Sequence, residues 1–411
     1  MYQRFAAAQV RRALADTPIV AVNGPRQSGK TTLVKGFRAE NRPYITFDDA
    51  TQRAAARSDP TGFVRGLDRA IIDEVQRVPQ IVLALKQSVD EDRRAGRFLL
   101  TGSAEIRAIP KARESLAGRM EVVPLLPLAQ SEILGRRTPR FIDACFAGMV
   151  RQSDAAAVGK DVPDILPRVL GGAYPEVLKR KSMQRKRDWF KSYIGALEQR
   201  DIAEIATLHK ARRVPRLVEI LARHAGQLVN FSQIGREVAL DSETADYYAG
   251  LLENLYILRR VRPWFRNELN RLVKTPKIQF LDSGLLSALL RLSPDRVHRD
   301  RTPLGPVLET FVFSEIVKAA AWSKHQPEIY HYRDKDQVEV DFVLENEARD
   351  VVGIEVKAAA SVSAADFKGL KRLAEHTGTG FRLGVVLYDG AGVVPFGSKL
   401  YAMPYRVLWA G

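Results

Sequence analysis

Gly24-Pro25-Arg26-Gln27-Ser28-Gly29-Lys30-Thr31 decides the reading of the first third of the chain. The apolar run Thr17-Pro18-Ile19-Val20-Ala21-Val22 precedes it and Thr32-Leu33-Val34-Lys35, with helical character, follows, so the octapeptide joins a strand to a helix. In that setting glycines let backbone amides close around phosphate groups, and the helix N-terminus adds partial positive charge. Lys30 is expected to reach the β- and γ-phosphates of ATP, and the Thr31 hydroxyl to hold Mg2+. Gly24, Gln27, Ser28, Gly29, Lys30, Thr31 and Thr32 are the expected nucleotide contacts, with Arg26 and Gln27 shaping the loop.

About forty residues on, Ala70-Ile71-Ile72-Asp73-Glu74 reads as a short buried strand ending in two carboxylates. Asp73 suits the metal, directly or through water, and Glu74 suits polarisation of the attacking water. A third strand, Arg97 to Ser103, ends in hydroxyls, and Thr101 or Ser103 is expected to sense the γ-phosphate. Ser115-Leu116-Ala117-Gly118-Arg119 precedes a further apolar strand, Met120 to Leu126. Arg119 is expected either as an arginine finger or sensor or in an ordinary surface salt bridge; if it acts in trans, a homo-oligomer is required.

The 411 residues exceed what one core usually holds, so the chain should be modular. No uncharged apolar run approaches the roughly 20 residues that cross a bilayer. The basic, alanine-rich stretch Met1 to Asp16 lacks the apolar segment of a targeting peptide and reads as a first helix. A lone cysteine, Cys145, excludes an internal disulfide framework and fits a reducing cytoplasm, while six scattered histidines exclude a zinc site. The net charge is +16, and residues 136 to 274 hold 26 Lys plus Arg against 16 Asp plus Glu. Most of the excess thus lies in the middle third, which points to a polyanionic partner, DNA.

That middle third opens with a helix-like stretch, 136–206, expected as a lid after a nucleotide-binding core at 1–135. Three amphipathic helices follow, at 216–225, 232–238 and 241–255, with Asn230 or Ser232 and Asp241 or Ser242 as caps. Two strands, Tyr256 to Trp264 and Lys277 to Asp282, complete the pattern of a winged helix over 207–285. Its wing would carry Arg259, Arg260, Arg262, Arg266, Arg271 and Lys274. The third helix is acidic, with Asp241, Glu243, Asp246 and Glu253, so either DNA contact falls to the wing or the winged helix serves as a packing or protein-binding module.

Residues 286–411 read as a helix bearing Glu309, three strands, a helix from Ser363 to His376 and a strand from Phe381 to Tyr388. Asp341 and Glu355-Val356-Lys357 fall on neighbouring strands, and the period of two puts Glu355 and Lys357 on one face. Glu309, Asp341 and Glu355 are the candidate Mg2+ ligands, and Lys357 the candidate catalytic lysine.

This C-terminal order and its motif resemble the restriction-endonuclease-like fold. Together the phosphate loop, Asp73-Glu74-Val75-Gln76, Leu100-Thr101-Gly102-Ser103 and Ser115 to Arg119 resemble a prokaryotic group of AAA-type ATPases with a C-terminal domain of unknown function. The resemblance implies a multidomain α/β protein: a P-loop AAA-type ATPase core, a helical lid, a winged-helix domain and a C-terminal nuclease-like domain. It implies ATP hydrolysis with Mg2+; the basic middle third and the C-terminal motif add the expectation of coupling to a DNA-associated nuclease-like domain or, alternatively, of an interaction switch whose nuclease-like domain does not cut.

Overall fold

The computed structural model describes residues 2–40, 42–102, 116–149, 164–197 and 213–410. The chain divides into two compact units, Met1–Leu128 with Asn254–Ile257, and Ala129–Glu253 with Leu258–Gly411. Residues 103–115, with Ser103 and Ser115, residues 150–163 and 198–206 of the expected lid, and residues 207–212 at the start of the expected winged helix lie outside the described residues.

In the first unit, β1 (Ile19–Asn23), β2 (Tyr44–Thr46), β3 (Ala70–Asp73), β4 (Phe98–Gly102) and β5 (Met120–Pro124) form one sheet in the order β2-β3-β4-β1-β5. All four pairings are parallel. Strands covered on both faces read as unbroken apolar runs, and every residue of β1, β3 and β4 is buried. The helix Ala6–Asp16 carries Val10, Ala13 and Leu14 inward against Val20 and Val22, as the basic, alanine-rich start suggested. Because β4 lies between β1 and β3, the loop after β1 and the carboxylates ending β3 open on the same carboxyl edge, where parallel α/β sheets bind ligands.

The second unit contains three helices, Val214–Arg223, Phe231–Val238 and Ser242–Asn254, then β6 (Leu258–Val261) and β7 (Lys277–Phe280), paired antiparallel. Asn230 caps the second helix by accepting from the amides of Ser232 and Gln233. Asp241 Oδ1 accepts from Thr244 N at 2.7 Å at the start of the third. Ala225 and Leu228 make isolated bridges to Ile278 and Lys277 of β7.

The larger sheet runs β12 (Val394–Gly397), β13 (Leu400–Pro404), β11 (Phe381–Tyr388), β10 (Val351–Lys357), β9 (Glu339–Glu345), β8 (Glu328–Arg333). β8, β9 and β10 are an antiparallel meander and β11 is parallel to β10. The helix Leu304–Trp322 precedes them and the helix Lys368–Thr377 links β10 to β11, the element order expected from sequence. Gly369 is needed here, since a Cβ would lie 1.9 Å from the Glu339 carbonyl oxygen.

The connection between β6 and β7 is where the structure departs from a free wing. It runs along the outer strand β8: Trp264 N donates to His331 O at 2.6 Å and His331 N to Arg262 O at 3.0 Å. An unpaired strand edge is thereby covered. Arg271 is 5% exposed and its guanidinium grips Glu345 of β9, so it is a structural ion pair and not a phosphate contact. Arg260 is drawn back by Asp246 at 2.9 Å, an acid of the third helix. Arg262, Arg266 and Lys274 stay exposed.

His331, 1% exposed, sets a measurable pH response. Burial, with the Lys277 charge beside it, pushes its pKa down to about 3. The native imidazole stays neutral while the unfolded one charges below its ordinary value, so stability falls as pH drops below 6.5. Between pH 7 and pH 5 this one group is expected to remove about 2 kcal/mol. Denaturant titrations of wild type and His331→Gln across that range check it, the variant lacking this component of the slope.

Candidate functional site

The phosphate loop is built around two backbone demands. Gly24 lies so close to the chain after β5 that a Cβ would sit 2.1 Å from Leu125 O, and Gly29 has φ +97°. Between them Gln27 is exposed and Ser28 is fully buried, its hydroxyl among those with no hydrogen-bond partner. A buried hydroxyl without a partner in the middle of such a loop suits an incoming polar ligand. Lys30 folds back so that Nζ donates to the carbonyls of Gly24 and Pro25, both at 2.8 Å. Thr31 and Thr32 open the helix Lys30–Lys35, with Thr32 exposed.

Three hydroxyls converge on Asp73, which is 2% exposed at the end of β3. Thr31 Oγ1 donates to Oδ2 at 3.0 Å, Tyr44 OH to Oδ2 at 2.6 Å and Thr101 Oγ1 to Oδ1. Burial and then the Asp73 carboxylate hold the Tyr44 hydroxyl far above its ordinary pKa, so it stays a donor. Thr31 and Asp73, three ångströms apart, are the pair that would hold Mg2+, and the oxygen donor set fits that ion.

Glu74 sits in the left-handed region, φ 62° and ψ 44°, uncommon for a residue with a side chain and frequent at functional sites. Its N–H donates to Thr101 Oγ1 at 3.1 Å, and its carboxylate accepts from Gln76 Nε2. Thr101 therefore ties both acids to β4.

Arg119 lies elsewhere. Its carbonyl accepts from Ile19 N at the start of β1, whereas the phosphate loop follows the end of that strand. The two are separated along β1 by roughly 16 Å of strand. Its Nε pairs with Asp90 at 2.5 Å, and this contact holds the Asp90 carboxyl below the usual range. Within one chain Arg119 is not brought to the nucleotide loop.

Sequence reading missed three residues here. Arg4, just before the first helix, donates to Ser28 O and Leu126 O, both at 2.7 Å, tying the loop to the chain after β5. Tyr44 reaches Asp73 because β2 neighbours β3, which strand order alone decides. Gln76 was in view in Asp73-Glu74-Val75-Gln76, two residues from the acid it holds.

In the second unit, Asp341, Glu355 and Lys357 meet as expected. Lys357 Nζ lies 3.2 Å from Glu355 Oε1, Val356 N donates to Asp341 Oδ2 at 2.8 Å, and Asp341 N to Glu355 Oε2 at 3.3 Å. Glu309 faces the same cluster: burial and then the Asp341 charge push its carboxyl well up. Burial and Asp341 likewise raise Glu355 to about 8. Two side chains that sequence reading did not include enter from β7. Lys277 Nζ lies 3.2 Å from Glu339 Oε2, and Gln279 Nε2 donates to Glu309 Oε1 at 2.5 Å. Burial works against the Lys277 ammonium, but Glu309, Asp341 and Glu339 outweigh it and leave its pKa above the ordinary lysine value.

A divalent ion at this cluster requires carboxylates converging on one point. As arranged, Glu355 is turned to Lys357 and Glu309 to Gln279, and no described group of three or more Asp, Glu, His or Cys side chains could hold a metal ion. The residue types suit a divalent ion; their arrangement does not.

The AAA domain family matches residues 16–134, so the first unit carries a P-loop AAA-type ATPase domain. Two domains of unknown function, DUF8612 and DUF4143, match residues 163–296 and 304–408. The chain is 33% identical over 364 residues to the uncharacterized proteins Rv2008c of Mycobacterium tuberculosis and Mb2031c of Mycobacterium bovis, covering 88% of this chain and 75% of theirs. Among solved structures, the Walker-type ATPase PABY2304 of Pyrococcus abyssi aligns with TM-score 0.42 and 16% identity over 71% of this chain and 96% of that one. No described helix is long and apolar enough to cross a membrane.

Proposed function

The chain belongs to the family of the mycobacterial proteins Rv2008c and Mb2031c, and from that footing we propose that it is a Mg2+-dependent ATP hydrolase whose nucleotide state acts as a switch on a DNA-associated second unit. The convergence of Thr31, Thr101 and Tyr44 on Asp73, beside a glutamate held at φ 62°, carries the reading. Thr31 and Asp73 would hold Mg2+, which neutralises charge on the phosphates. Lys30 exchanges the Gly24 and Pro25 carbonyls for phosphate oxygens, Thr101 holds the acids in register, and Glu74 orients water and accepts its proton. Arg119 enters this scheme only from a neighbouring subunit, in which case specific activity falls on dilution. In Lys30→Ala, ATP affinity is expected to drop at least ~100-fold, the loss of a desolvated charge contact. Calorimetric titration of ATP reads it, and near-native affinity would sink the assignment.

For the second unit, the Lys357–Glu355 contact and the Gln279–Glu309 hydrogen bond favour a module that does not cut. DNA contact falls to Arg262, Arg266 and Lys274, exposed on the connection after β6. Binding of linear, branched and single-stranded DNA at low salt tests the partner, because phosphate contacts are strongest there. No binding at low salt removes DNA from the proposal. Mg2+-dependent cleavage that Asp341→Ala abolishes overturns the non-cutting reading.

A further inference from the structure

Strand β7 belongs in sequence to the three-helix module, yet one face of it is built into the acidic cluster of the larger sheet. Lys277 and Gln279 are two residues apart and so share that face. They are 4% and 0% exposed. Gln279 is oriented twice: its Oε1 accepts from Thr310 Oγ1 at 3.0 Å while Nε2 donates to Glu309. An amide NH2 can only donate, so the facing Glu309 oxygen is an acceptor. On the other side of β7, Gly226 at φ +77° lies so near that a Cβ would be 2.8 Å from Glu309 Oε2. That backbone conformation favours glycine, and Gly226 N donates to Ile278 O at 2.8 Å, fixing it to β7.

A buried ammonium needs carboxylates around it, and buried carboxylates need a cation. Here each supplies the other. Lys357 is committed to Glu355, and Asp366 stands 3.7 Å from the same ammonium. Lys277 stands on the face of β7 whose Gln279 holds Glu309, and its Glu339 partner is shared with Arg333 at 2.9 Å. Glu339, which Lys277 Nζ meets at 3.2 Å, is two residues from Asp341 on β9 and shares its face.

We propose that Lys277 is the resident counter-cation of Glu309 and Asp341, as Lys357 is of Glu355, which makes the cluster a buried ionic joint fastening the β6–β7 hairpin to the larger sheet rather than a divalent-metal centre. The inference rests on the non-cutting reading of the second unit. Its test is Mn2+ binding, followed by the paramagnetic resonance of the free ion, with the full chain carrying Asp73→Asn and no nucleotide so that the ATP site does not contribute.

The parent is expected to bind no Mn2+ at the cluster. Lys277→Met exposes the acids' charge and gains one site, at least ~tenfold tighter than any in the parent. Lys277→Arg behaves as the parent, and Lys277→Met with Asp341→Asn loses the gained site. If Lys277→Met does not fold, adding Glu309→Gln removes an unmatched charge and is expected to restore a cooperative melt; failure to restore it counts against the joint. A folded Lys277→Met that neither gains Mn2+ nor melts below the parent overturns the proposal. So does a parent that binds one Mn2+ lost in Asp341→Asn. That last result without DNA cleavage refutes Lys277 alone, whereas Mg2+-dependent cleavage by the wild type refutes the non-cutting reading with it.

Discussion

Glu74→Gln is expected to bind ATP with wild-type affinity and to hydrolyse it about 100- to 10,000-fold more slowly, the range a positioned general base contributes. Glutamine matches glutamate in shape and can keep the contact to Gln76, so the left-handed backbone at φ 62° and the hydrogen bond from its N–H to Thr101 should persist. It cannot accept a proton. Binding and turnover should therefore separate in this variant, where in Lys30→Ala they fall together. Equilibrium binding of a fluorescent ATP analogue and phosphate release under saturating ATP measure the two sides. Undiminished hydrolysis in Glu74→Gln would remove Glu74 as the base. Gln76→Ala gives an internal control, because Gln76 touches the acid itself: its effect should lie in kcat and be smaller than that of Glu74→Gln.

What could be read from the residues differs sharply between the two units, and the reason is sequence distance. The phosphate loop is local: strand, glycines, lysine and helix occur within twenty residues, and each is dictated by backbone geometry that any such loop must adopt. Asp73 and Thr101 were legible because a parallel strand covered on both faces announces itself as an apolar run, and its polar end marks the functional edge. Tyr44 was not, since nothing in Tyr44-Ile45-Thr46 tells which strand will lie beside β3. The element order around Asp341, Glu355 and Lys357 was likewise visible in the alternation of β9 and β10. Lys277 escaped because it sits 64 residues before Asp341 in a hairpin read as a wing. Arginines there looked interchangeable in sequence, but burial sorts them: Arg271 faces Glu345, Arg260 faces Asp246, and Arg262, Arg266 and Lys274 face water.

That sorting predicts a large stability effect at a position where the sequence suggested a DNA contact. Glu345→Ala is expected to destabilise the second unit by roughly 3–5 kcal/mol, the usual consequence of stranding one partner of a buried ion pair. Arg271 would keep its charge, at 5% exposure, with the Phe265 carbonyl at 2.6 Å still accepting from its Nε. The guanidinium also lies 4.8 Å from the Tyr330 ring centroid and 5.5 Å from that of Trp264, and Trp264 Nε1 itself donates to Glu345 at 3.3 Å. Removing the carboxylate thus leaves two donors unmatched. Arg271→Met with Glu345→Leu should recover much of the loss, because an apolar pair of similar volume avoids the desolvation cost altogether. Denaturant unfolding of the two single variants and the double one provides the cycle. DNA titrations on the folded double variant then separate structure from contact. A phosphate-binding Arg271 would lower the dependence of affinity on salt by about one ion, whereas a structural Arg271 leaves that slope unchanged. The same titration on Arg266→Ala or Lys274→Ala is expected to lower it.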